Sequence, residues 1–392
     1  MTGRPAIRPS SVDELAAVIG AAGRSGTRLE IVGGGSKVDF GASREASLLD
    51  MTGFSGVVDY DPAELVLTVG AGTPLVEVQA LVASEEQMLA FEPFDMGPVY
   101  GRPVGASTIG GTVAAGTAGS RRLSRGSVRD HLLGFEAVSG RGERFIAGAK
   151  VVKNVTGYDL SKLVSGSWGR LVALTQVTLK VLPRGRVTTT LAVEGLSPVQ
   201  AQAAMSRSLG APLEIAAAAY CPRGLGRETS LTALRLEGFP TSVQARSGAL
   251  RHILVGFGRT HVMEEADRFW HDMMTVSALP ADLPLWRLNV PPSALCSVVE
   301  AMEPVGAQWL CDWAGGLVWL ALADGEQRVR DAALAAGGHA TLVRAPEAMR
   351  ARVCALQPQS PGVTALEQRV RRAFDPAGVF DTGRFADSTH AD

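Results

Sequence analysis

Two glycine-rich runs in the first half of the chain limit what that half can fold into. The first, Gly33-Gly34-Gly35-Ser36-Lys37 with Gly41 closing it, follows directly on the apolar run RLEIV at 28–32. The second is STIGGTVAAGTAG at 107–119, in which every residue other than glycine is small or β-branched. Consecutive glycines cost backbone entropy on folding, so three in a row are an expensive way to make a turn. Their amides can instead turn inward as an anion-binding nest, to which Lys37 adds charge and Ser36 a hydroxyl. Taken singly, each run also reads as a tight turn or a packed crossover that binds nothing. Two in one domain favour a nucleotide cofactor. A third loop, Gly70-Ala71-Gly72-Thr73-Pro74-Leu75, starts like a dinucleotide fingerprint, but Leu75 stands where its third glycine belongs. No GxxxxGK[ST] run occurs either. The cofactor is therefore expected on loops between strands.

The chain has 392 residues, 46% hydrophobic and 20% charged, enough to bury a substantial core in two domains. A net charge of −1 argues against a general nucleic-acid binder. Cys221, Cys296, Cys311 and Cys354 form no CxxC pair, which excludes an iron–sulfur cluster on spacing and favours isolated thiols in a reducing compartment over a zinc site or a disulfide framework. The N-terminus lacks the apolar core of a signal peptide, and no run is long enough to span a bilayer. A cytoplasmic location is expected, with no direct membrane span.

Ser10 or Ser11 should cap a helix starting at Val12, with Leu15, Val18 and Ile19 as its buried stripe. Strands are expected at 28–32, 46–49, 56–59 and 65–69, then a helix at 74–84. Residues 92–129 show neither period, and so long an irregular stretch inside a compact domain points to function. Strands follow at 132–138, 144–146 and 171–182. Beyond residue 185 one order repeats. The first pass is strand 188–194, helix 197–209, strands 213–220 and 230–237, and helix 241–254. The second is strand 286–290, helix 292–302, strands 308–313 and 317–323, helix 326–336 and strand 339–344. A helix at 264–279 connects them. Each pass reads as a ferredoxin-like split βαβ unit, and the two can share one antiparallel sheet. The class is α+β: a domain over 1–185, a smaller α+β cap over 186–365, and a C-terminal segment, 366–392, returning to the first.

Taken in order, IVGGGSKVDFG, TIGGTVAAGTAG, SRGSVRDHLLGFEAV, KNVTGYDLSKLVSGSWGRLVALTQVTLKVLPR and the terminal FDPAGVFDTGR resemble the vanillyl-alcohol oxidase family of FAD-linked oxidases. Within it, RGSVRDHLLGFEAVSGRGE and VVKNVTGYDLSKL are most similar to the FAD-binding subunits of bacterial glycolate oxidases. The resemblance implies a two-subdomain FAD-binding domain. In it Gly33, Gly34, Gly35, Ser36 and Lys37, closed by Gly41, hold the pyrophosphate. Thr108, Ile109, Gly110, Gly111, Ala114, Ala115 and Gly116 line the pyrophosphate and flavin ring. It also implies Gly126 and Val128 near the ring, Val172 near the pyrimidine or ribityl part, and Arg384 in a tail that returns to the domain. The first loop has no His and the first half no Cys, so the expected FAD is noncovalent. The E-H-G motif of larger catalytic relatives, near a metal and substrate site, is absent. The partners implied are a catalytic FAD subunit and an iron–sulfur subunit.

A 2-hydroxy-acid oxidase needs an arginine for the carboxylate and a base for the hydroxyl proton. Arg121, Arg122, Arg125, Arg129 and His131 stand beside the second loop, and His339 and Arg344 flank a strand of the cap. Each has a plainer structural or surface reading, and none fixes the catalytic residue. No His spacing suits a metal. Three functions stay open: a subunit of a glycolate oxidase complex, a self-sufficient D-lactate or glycolate dehydrogenase, and a flavin-bearing scaffold that turns over nothing.

Overall fold

The computed structural model describes residues 6–149 and 157–385. Residues 151–156 of the VVKNVTGYDLSKL run lie outside the described residues. The chain divides into two compact units. The first comprises Met1–Ala118, Gly126–Pro183 and Pro358–Ala386; the second comprises Gly119–Arg125, Arg184–Gln357 and Asp387–Asp392.

The first unit holds two main sheets of opposite character, beside a two-stranded antiparallel pairing of Gln87–Met88 with Leu182–Pro183. Leu29–Val32 and Ala6–Ile7 both pair in parallel with Ser47–Asp50. Against this small sheet lies helix Val12–Ser25, capped by Ser11, whose hydroxyl accepts the Glu14 amide at 3.2 Å. The helix ends at Gly26 in the left-handed conformation. Its buried stripe, Leu15 and Ile19, packs with Leu29, Leu49, Val379 and Phe380. A larger antiparallel sheet has the order Val57–Asp61, Val66–Gly70, Val172–Lys180, Leu132–Ser139, Arg144–Gly148. Helix Leu75–Ser84 adds Leu75, Val78 and Val82 to its core.

The chain's tail completes this unit. Leu29 donates its amide to Val379 at 2.8 Å, and Asp375 accepts the amides of both Val379 and Phe380 at 2.8 Å. The return to this unit thus begins before the helix Pro361–Phe374, earlier than residue 366.

The stretch 92–129 is more regular than its composition predicts. It contains a 3-10 turn at Pro98–Tyr100 and helices at Ile109–Ala115 and Arg122–Arg125, and Val128–His131 straddles its end. Helix Ile109–Ala115 forms despite Gly110 and Gly111 because tertiary contacts hold it. Thr108 caps it through its hydroxyl, and the amides of Ile109 and Gly110 donate to the carbonyls of Thr73 and Ala71. Propensity is a weak prior beside such fixed contacts.

The second unit is built on one eight-stranded sheet. Its order is Thr260–Val262, Val187–Glu194, Leu231–Gly238, Ala217–Cys221, Gln308–Asp312, Leu317–Ala321, Leu285–Asn289, His339–Arg344, and every neighbouring pair is antiparallel. Each pass is a complete split βαβ unit, and the two meet where Tyr220 pairs with Cys311. The first pass gains a fourth strand, Thr260–Val262, too short at three residues to announce itself by alternation. Alternate residues such as Trp286, Leu288, Val318 and Leu320 build one core with helices Pro198–Leu209, Pro240–Leu254, Leu295–Met302 and Glu326–Ala335.

Residues 119–125 belong to this second unit, which interrupts a continuous 1–185 domain. Arg121 ion-pairs with Glu237 at 2.9 Å, and Arg235 meets the same carboxylate at 3.2 Å. The Ser120 hydroxyl donates to Asp312, and the Trp313 indole donates to the Gly119 carbonyl at 3.1 Å. Among the described residues no helix is long and apolar enough to cross a membrane, and no group of three His, Cys, Asp or Glu side chains could hold a metal ion.

Candidate functional site

The first unit contains a cleft partly open to solvent, with about 730 Å³ of space not filled by atoms, open solvent included. Both glycine loops line it. Residues 33–37 form one side, and Thr108, Gly110, Gly111, Ala114 and Ala115 another; Val172 and Arg384 complete it. These loops meet through main chain. A Cβ on Gly34 would fall 1.8 Å from the Ala106 carbonyl oxygen, and one on Gly110 would fall 2.7 Å from the Ala71 carbonyl. At both positions glycine is required by backbone packing.

The donor set suits an anionic, phosphate-bearing ligand. Among the described residues, the amides of Gly34, Gly35 and Ser36 give no hydrogen bond to a protein acceptor. Lys37 borders the cavity and donates to the Ser36 hydroxyl at 3.1 Å; no described carboxylate lies within ion-pair distance of it. Burial pulls its pKa down to about 8, against the raising effect of Asp95 and with a further lowering from Arg384. Arg384 donates to the carbonyls of Phe40 and Lys37 at 2.9 and 2.5 Å, and burial lowers its pKa to about 10. Glu30, the acidic residue of the lining, is ion-paired with Arg44.

Five of the expected binding residues stand outside the lining. Ile109 and Val128 are core residues, 0% and 1% exposed. Gly116 closes its helix in the left-handed conformation, Gly126 abuts the Asp130 side chain, and Gly41 abuts the main chain of Arg384. The catalytic candidates are also outside it. Arg129 is exposed on helix Val128–His131, and His131 is buried with its ring 5.6 Å from that of Phe91. His339 and Arg344 sit in the second unit, at the two ends of one strand. Arg344 donates to the Pro280 carbonyl at 2.7 Å. Burial, then Arg287 and Arg122, lower the pKa of His339.

Sequence reading missed Trp168 and Gly169, which line the cavity. Trp168 adopts φ +57°, strained for a bulky residue, and its amide donates to Ala114 at 2.8 Å. Its indole stacks on Phe40 with centroids 4.1 Å apart. The run SGSWGR, a lone tryptophan set among turn-forming residues, was the available signal. Apolar Met51 and Leu174 were missed too, since nothing in a core-like sequence separates a cavity wall from a core.

A family described as an FAD binding domain matches residues 4–148. The glycolate oxidase subunit GlcE of Escherichia coli is 37% identical over 360 residues, covering 91% of this chain and 92% of that protein. A D-lactate dehydrogenase of Archaeoglobus fulgidus is 29% identical over 188 residues, 48% of this chain and 40% of that protein. The glycolate oxidase subunit GlcD of Bacillus subtilis is 31% identical over 135 residues, 34% and 27% respectively. Among solved structures, alkyldihydroxyacetonephosphate synthase superposes with a TM-score of 0.69 at 14% identity, covering 96% of this chain and 76% of that one, a likeness of fold.

Proposed function

The chain belongs to the family of FAD-linked oxidoreductases that includes the Escherichia coli glycolate oxidase subunit, and from that premise we propose that it is the FAD-binding subunit of a glycolate (2-hydroxy acid) oxidase complex. The observation that carries this reading is the cavity with both glycine loops on its wall, three unclaimed amides and a half-buried lysine. Residues 34–37 hold the diphosphate of FAD noncovalently, and Arg384 fixes that loop through the Lys37 carbonyl. Trp168, Val172 and Leu174 give the apolar wall that shields the ligand from water. Oxidation of glycolate to glyoxylate releases two electrons and two protons, and FAD when bound supplies the two-electron acceptor.

The ionisable side chains of the lining are Lys37, Glu30 and Arg384, and Glu30 is held by Arg44. With Lys37 and Arg384 serving the diphosphate loop, that set assigns no group to the substrate hydroxyl. This favours turnover in company with partners, a catalytic FAD subunit and an iron–sulfur subunit that takes the electrons onward. It also keeps open a second reading, a flavin-bearing scaffold.

The test uses the purified chain. It should be yellow, release FAD on denaturation, and keep its colour with glycolate until the partner subunits are added. Bleaching by glycolate or D-lactate alone would make it a self-sufficient dehydrogenase. A partner complex that stays fully active after FAD is stripped from this chain would leave only the scaffold.

A further inference from the structure

Asp95 is joined to the cavity by a file of side chains. It stands on the irregular segment before helix Ile109–Ala115 and accepts three donors: the Gly97 amide at 2.8 Å, the Gly105 amide at 2.6 Å and the Ser107 hydroxyl at 2.6 Å. The hydroxyl oxygens of Ser107 and Ser36 lie 3.1 Å apart, and both residues are buried, 2% and 3% exposed. Ser36 in turn accepts from the Lys37 ammonium at 3.1 Å. The Ser107 hydroxyl faces two acceptors, the Asp95 carboxylate at 2.6 Å, which is the shorter and charge-assisted contact, and the Ser36 oxygen at 3.1 Å. Ser36 accepts from both Ser107 and Lys37, so two hydroxyls in line join the ammonium to the carboxylate.

We propose that Asp95 is a positioning residue that keeps Lys37 charged and aimed at the cavity through these two hydroxyls, making the site selective for ligands that carry a diphosphate. The inference rests on the FAD reading of the cavity and adds what sets its preference for FAD over a flavin without phosphate. A direct ion pair would spend the ammonium on its own carboxylate. A carboxylate two hydroxyls away stabilises the charge and leaves the remaining N–H donors for a ligand. The charged groups around Lys37 agree with this. Arg384 on the tail opposes its protonation and Asp95 favours it, while the neighbouring Glu30–Arg44 and Asp39–Arg102 groups are mutually paired. Burial raises the pKa of Asp95, but its donors, Ser107 first, outweigh this and hold it below the ordinary range. The carboxylate is therefore a fixed charge at neutral pH.

The experiment strips the flavin and measures the affinity of the full-length apoprotein for FAD and for riboflavin between pH 6 and 9.5. A diphosphate prefers the protonated lysine, so FAD should bind about tenfold or more weakly at pH 9.5 than at pH 7, while riboflavin affinity stays flat. Asp95→Asn should move that fall to lower pH, weakening FAD several-fold at pH 7.5 and converging with the parent at pH 9.5. Lys37→Met should abolish the fall. FAD affinity that is flat in the unsubstituted protein overturns the inference whether or not either variant folds. So does an Asp95→Asn curve that superposes on the parent's. Absence of FAD binding at every pH would remove the FAD reading and this inference together; flat binding removes the inference alone.

Discussion

Trp286, in the middle of the eight-stranded sheet, is fully buried among side chains, whereas Gly34, beside the cavity, is hemmed in by main chain. The contrast holds across both regions. In the second unit, Leu288, Val318, Leu320 and Leu342 interlock with four helices, and the backbone is paired strand to strand. Around the cavity, Gly34 meets Ala106 and Gly110 meets Ala71 with no room for a methyl group. A side-chain core tolerates a change of shape by repacking its neighbours. A backbone contact at van der Waals distance has no rotamer to change. The cavity walls should therefore be brittle where the sheet is graded.

The sharpest way to break this contrast is Gly34→Val. Its Cβ would lie inside the Ala106 carbonyl, so the purified variant should contain no flavin, while hydrogen exchange in the sheet of the second unit stays protected. Flavin retained at full occupancy would show that the loops yield as readily as a core. Next in size is Trp286→Ala, which should cost about 3–5 kcal/mol in chemical denaturation followed within the second unit. Glu237→Gln tests the polar part of that unit. It removes a buried carboxylate facing Arg121 and Arg235, and a loss of about 3 kcal/mol is expected, with faster exchange in residues 119–125. Ser197→Ala removes the capping box of helix Pro198–Leu209 and should cost about 1 kcal/mol, a change the sheet absorbs without losing its fold.

A further effect concerns the apoprotein and pH. Lys37 has a folded pKa near 8, below its ordinary 10.5. Between those values the unfolded chain binds more protons than the folded one, so apoprotein stability should rise as pH climbs from about 8 to 10.5. The same ionisation should weaken FAD binding, so the two curves slope in opposite directions. Melting temperatures of the flavin-free protein across that window check the first slope.

This division also explains what was legible in the sequence. The second unit announces itself by period: both passes, their order and their common sheet follow from alternation and helical spacing, while short elements such as Thr260–Val262 and Glu347–Arg352 escape. The glycine loops are visible as composition, and Gly33 to Lys37 stand out from the sequence alone. The helix at Ile109–Ala115 is not, because its cause lies in the carbonyls of Ala71 and Thr73, some 40 positions away. The place of residues 119–125 hangs on Glu237 and Asp312, more distant still. Asp95 gave no signal, since a lone acid in an irregular stretch resembles any solvated one. Contacts made by main chain across long separations leave little trace in local pattern.

Trp168 carries a last consequence. The chain has six tryptophans, and the other five, Trp270, Trp286, Trp309, Trp313 and Trp319, all fall in the second unit. The one indole of the first unit stands on the cavity wall. The protein thus has a built-in optical gauge: a chromophore lodged there should dim the emission of this indole, so filling can be followed by light without any label.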